Sequence, residues 1–136
     1  MNILAKRLLI ALSSGVVLAF IDIWLSSSSV PDAWDLSGPM FWYMFSSRVL
    51  IGFFVALAGV YTVHPVLKVN MYLKRGVIIG ALLSIPLAAS VFFDEAATWG
   101  LFWLIILSGA VYGLIIDFVA TKFAGQGREL LHPRNE

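Results

Sequence analysis

Met40–His64 reads MFWYMFSSRVLIGFFVALAGVYTVH. The run is almost wholly apolar, and at about 1.5 Å of rise per residue it is long enough to cross a bilayer as one helix. Its single charge, Arg48, sits about two turns inside it. A soluble domain seldom carries such a run, and a membrane helix seldom carries such an arginine without a partner.

Three further apolar segments flank it, at about residues 8–25, 77–93 and 99–121. Each is of spanning length, and the gaps between them are short. Val30–Pro39 (VPDAWDLSGP) has the proline, aspartate and glycine of a turn. The whole chain of 136 residues is 60% hydrophobic and only 12% charged, with a mean hydropathy of +0.92. Soluble domains carry about twice that charge. These features predict an all-α, polytopic membrane protein, a compact bundle of four transmembrane helices over residues 1–122. Residues 123–136 form a short polar tail. A cleaved leader is the competing reading of the first segment, and Asp22 inside its apolar core argues against it.

The charges predict a topology. Of nine Lys and Arg, eight fall before the first segment, between the second and third, or after the fourth. The other two loops hold only Asp32, Asp35, Asp94 and Glu95, and the ninth basic residue is Arg48. This positive-inside pattern places both termini in the cytoplasm, with the bacterial inner membrane as the expected location. Trp24, Trp34, Trp42, Trp99 and Trp103 gather toward the acidic end as an interfacial belt.

The two halves share a sparse pattern. Lys6-Arg7 opens the first helix and Lys74-Arg75 the third. Phe41-Trp42, Ser47 and Gly52 align with Phe102-Trp103, Ser108 and Gly113 at one offset. Two readings stand: tandem helical hairpins forming a parallel repeat, or chance likeness between apolar segments.

Small residues four apart let helix backbones approach closely where lipid offers little hydrophobic gain. Each segment has such a stripe: Ala11, Gly15 and Ala19; Gly52, Ala56 and Gly59; Gly76, Gly80 and Ser84; Gly109 and Gly113. Asp22, Arg48 and Asp117 continue these stripes at helical spacing. Packing the first two antiparallel predicts that Asp22 meets Arg48, Ala19 meets Gly52, Gly15 meets Ala56 and Ala11 meets Gly59. Asp117 is expected to anchor the cytoplasmic end of the fourth helix to Lys74 or Arg75, or to Lys122 on its own helix. An Asp–Arg pair of this kind either specifies how helices meet or carries an ion, a proton or a small polar solute.

Other features have plainer readings. His64-Pro65 and His132-Pro133 are helix stops. Pro86 predicts a kink, with Ser84 placed to satisfy freed backbone groups. The chain has no cysteine, no metal-ligand cluster and no nucleic-acid signature. No phosphate loop, nucleophile elbow or metalloprotease motif is present, so an enzyme and a cofactor are not expected. The expected partners are the bilayer and either further copies of the chain or a larger membrane complex. The first functional expectation is a non-enzymatic accessory or scaffold subunit packing through its small-residue faces. The alternative is a small oligomeric transporter or channel that uses Asp22 and Arg48.

Overall fold

A computed structural model describes residues 2–60, 71–93 and 98–125, with backbone alone at 71–73. Within them lie four helices: α1 (Ile3–Ser26), α2 (Pro39–Ala58), α3 (Met71–Ser90) and α4 (Trp99–Ala124). A short 3-10 turn, Val91–Phe93, extends α3. All four helices are long and apolar enough to span a membrane, and no strand is present among the described residues. The chain is thus a small integral membrane protein built as a four-helix bundle.

Local chemistry sets the helix ends. Asn2 caps α1, its Oδ1 accepting from the Leu4 amide at 3.2 Å. Pro39 stands in the first turn of α2, where its missing N–H costs no helical bond. Thr98 caps α4 by accepting from the Leu101 amide at 3.2 Å. α3 runs through Pro86 without a break.

Two boundaries differ from expectation for one reason. α1 begins at Ile3 and α3 at Met71, so Lys6, Arg7, Lys74 and Arg75 belong to helices rather than to loops. A basic side chain does not end a spanning helix when its head finds polar partners, as Lys6 and Lys74 do at the surface and Arg7 and Arg75 do among buried acceptors. α2 ends earlier than the apolar run suggests. It closes at Ala58 and turns at Gly59–Val60, and residues 61–64 of the expected second helix lie outside the described residues. His64 and His132 lie outside them as well.

The helices run antiparallel in sequence and form two hairpins. In α3–α4 the glycines carry the contact. A methyl group on Gly80 would overlap the Gly109 carbonyl, and one on Gly113 would overlap the Gly76 carbonyl. In α1–α2 a Cβ on Gly52 would come 2.5 Å from the Ala11 oxygen, and one on Gly15 would come 3.0 Å from the Arg48 oxygen. The stripes therefore face inward within one chain. α1 also packs on α4 and α3 on α2, while α2 and α4 meet across the middle. Ala11, Leu18, Ile51, Val55, Ala56, Tyr112, Ile116 and Ala120 form one buried cluster there.

The register of α1 on α2 corrects the expected one by about two turns. Gly52 faces Ala11 and Gly15 faces Arg48–Val49, where Ala19 and Ala56 were expected. Asp22 and Arg48 still meet, for a geometric reason. Side chains on a helix lean toward its N-terminus. The helices are antiparallel, so Asp22 leans down from one end while Arg48 leans up toward it. The long guanidinium stem covers the rest of the offset.

Candidate functional site

Two buried charge networks and one cavity form the polar interior. At the tryptophan-rich end, Arg48 Nε donates to Asp22 Oδ2 at 3.0 Å. Arg48 Nη1 donates to Ser84 Oγ at 2.9 Å and Nη2 to Ser108 Oγ at 3.1 Å. The Tyr112 hydroxyl donates to the other carboxylate oxygen of Asp22 at 3.0 Å. The guanidinium also stands 4.9 Å from the centre of the Tyr112 ring, close enough for a cation–π attraction. One side chain or more comes from every helix. Arg48 is 2% exposed and Asp22 6%, so the pair is held where an isolated charge would be costly. Gly109 makes room for the arrangement, because any Cβ there would overlap Ser84 Oγ. The Ser84 hydroxyl expected beside Pro86 is thus bonded to Arg48.

The second network lies at the opposite end, around Asp117, which is fully buried. Arg75 grips it with two bonds, Nε to Oδ2 at 2.7 Å and Nη2 to Oδ1 at 2.6 Å. Arg7 Nη2 donates to Oδ1 at 2.6 Å, and the Thr121 hydroxyl adds a bond at 3.2 Å. Lys74, named as a possible anchor, is exposed and has no bond to Asp117. Lys122 is exposed too, and its ammonium lies over the Phe118 and Phe123 rings. The forked guanidinium of Arg75 matches a carboxylate in two places, which an ammonium cannot do.

Arg7 is the residue that sequence reasoning missed. It was counted among the basic residues ahead of the first segment, yet it is fully buried. A guanidinium has five N–H groups, and all five find acceptors: the Val55, Ala56 and Gly125 carbonyls, Thr121 Oγ1 and Asp117. Two of those carbonyls belong to the last turn of α2, where both also accept the Gly59 amide at 3.2 Å. Arg75 Nη1 takes a third, at Ala58. Two cations thus close the negative end of the α2 dipole. Gly59 lies directly against Arg7, and any side chain there would overlap the guanidinium. This seat at the end of α2 therefore admits only glycine. The signal was present in the spacing, since Arg7 precedes Ala11 by four and so begins the same stripe as Gly15 and Asp22.

A cavity of about 600 Å³ occupies the tryptophan-rich end of the bundle. On α4 its lining runs from Leu101 to Tyr112, a depth of about 16 Å along the helix. Met40, Met44, Leu87, Leu101, Leu104 and Ile105 give apolar walls, with Ser26, Ser29 and Ser90 also lining it. Asp22, Arg48, Ser108 and Tyr112 supply its buried polar patch. Comparison with protein families, curated proteins and solved structures finds no match to this chain.

Proposed function

We propose that the chain is a non-enzymatic membrane protein that acts as a rigid accessory or scaffold subunit. One observation carries this reading: each charge network draws groups from all four helices, and an apolar layer separates the two. Leu18, Ile51, Val55 and Ile116 lie in that layer. A bundle tied at two levels and dry between them is suited to holding a shape. The small-residue faces are spent inside the bundle, so partner contacts fall on its apolar exterior. Extraction in mild detergent tests the proposal. A particle heavier than one 15.0 kDa chain with its detergent, or a stoichiometric co-purifying protein, is expected. A lone monomer from native membranes would contradict it.

The cavity supports a second reading, a small transporter for an ion or polar solute, because it ends on Asp22 and Arg48. The double replacement Asp22→Asn with Arg48→Gln separates the two. As a scaffold the neutral variant folds and keeps its assembly. As a transporter it assembles normally yet loses flux.

A further inference from the structure

We infer that the cavity at the tryptophan-rich end is a binding site for an uncharged amphiphile whose head group carries a hydrogen-bond-accepting oxygen. The chemistry of the polar patch selects the head. Arg48 gives three of its five N–H groups to Asp22, Ser84 and Ser108. Among the described residues the other two have no protein acceptor, although Arg48 is 2% exposed and lines the cavity. A buried donor left unmatched is costly, and a guanidinium only donates, so the complementary group is an acceptor.

Charge narrows the class further. Arg48 and Asp22 cancel, and the Tyr112 hydroxyl is turned to Asp22. An anionic head would sit beside Asp22 with no surplus cation to balance it. A cationic head would meet Arg48. Either would leave one uncompensated charge in a low-dielectric interior. An uncharged carbonyl, ether or hydroxyl oxygen avoids both penalties.

The walls select the body. The lining away from the patch is mainly leucine, isoleucine, valine and methionine, with Ser26, Ser29 and Ser90 among them, and the volume suits one drug-sized molecule or one chain of a lipid. Methionines adapt to bodies of differing shape. Exposed Trp24, Trp42, Trp99 and Trp103 at the same end of the bundle mark the depth at which amphiphiles concentrate. Two sources share this chemistry: acylated neutral lipids, and isoprenoid compounds with a carbonyl head.

Photolabelling of the full chain in lipid nanodiscs tests the site. Three diazirine-bearing probes share a hexadecyl chain and differ in head: an alcohol, a sulfate and a trimethylammonium. Labelled positions are mapped by peptide mass. The alcohol probe is expected to label the cavity segments around Met40–Met44 and Leu101–Ser108, with the two charged probes about tenfold weaker there. Leu104→Trp fills the mouth from a residue that is 62% exposed, so folding is retained. It should remove the cavity labelling about tenfold and leave labelling of the outer helix faces unchanged. Unlabelled monooleoylglycerol and a prenylated benzoquinone compete in separate arms, and the one effective at lower concentration identifies the source. Equal cavity labelling by all three probes, preference for a charged probe, or indifference to Leu104→Trp would overturn the proposal.

Discussion

Lys6 and Arg7 are neighbours on one turn of α1 and face different surroundings. Lys6 is exposed, while Arg7 is buried with five bonds to α2 and α4. Arg7→Ala removes five hydrogen bonds, while Asp117 keeps Arg75 and Thr121, so it should cost about 1–3 kcal/mol of stability. Arg7→Lys should not restore the loss, because an ammonium has three donors and no planar fork. Lys6→Ala should stay within about 0.5 kcal/mol of wild type. Reversible unfolding in mixed micelles measures all three. The contrast also marks the limit of reading charges by sequence. A count of Lys and Arg treats the neighbours alike. Only the four-residue spacing from Arg7 to Ala11, Gly15 and Ala19 distinguishes them.

At the scale of elements, glycine sets how closely α3 and α4 approach. Gly80→Ala drives a methyl group into the Gly109 carbonyl. Backbone cannot step aside as a side chain can, so the change should cost about 1–3 kcal/mol. Gly100→Ala, with nothing nearer than Thr98 Oγ1 at 3.9 Å, should be neutral to within about 0.5 kcal/mol. Paired unfolding curves of the two variants check the difference. The stripes were legible because close approach demands small residues at fixed spacing. The register was not, because it is decided by how side chains lean along antiparallel axes and by the seat of Arg7 at Gly59. The α1–α2 loop offers a separate test. The Ser37 hydroxyl and amide both donate to Asp35 Oδ1, at 2.6 and 2.9 Å, and they hold that carboxyl below its usual range. A lowered folded-state pKa stabilises the turn above the unfolded value, and that contribution is lost as pH falls through the folded one. Ser37→Ala should raise the Asp35 titration midpoint, followed by carboxyl NMR shifts. An unchanged midpoint would refute the role of the hydroxyl.

Across the whole molecule, the four spans were legible from length and composition alone, whereas each network needed groups from all four helices placed together, and α2 gives the Asp117 network only backbone carbonyls. The basic residues predict the orientation. A cysteine replacing Asp35 should react with an impermeant label from outside the cell, and one replacing Lys74 should not. Labelling of the second from outside would reverse the topology. The charge networks are about 22 Å apart along α1, from Arg7 to Asp22, and about 8 Å along α4, from Tyr112 to Asp117, and no residue bonds in both. They should therefore act as separate ties on one bundle. Double-mutant cycles on unfolding free energy test this most directly, using Asp22→Ala with Arg48→Ala inside one network and Arg7→Ala with Arg48→Ala across both. The account predicts a coupling of about 0.5–3 kcal/mol within the pair and additivity to about 0.5 kcal/mol across the networks. Additive effects of Asp22→Ala and Arg48→Ala would contradict it.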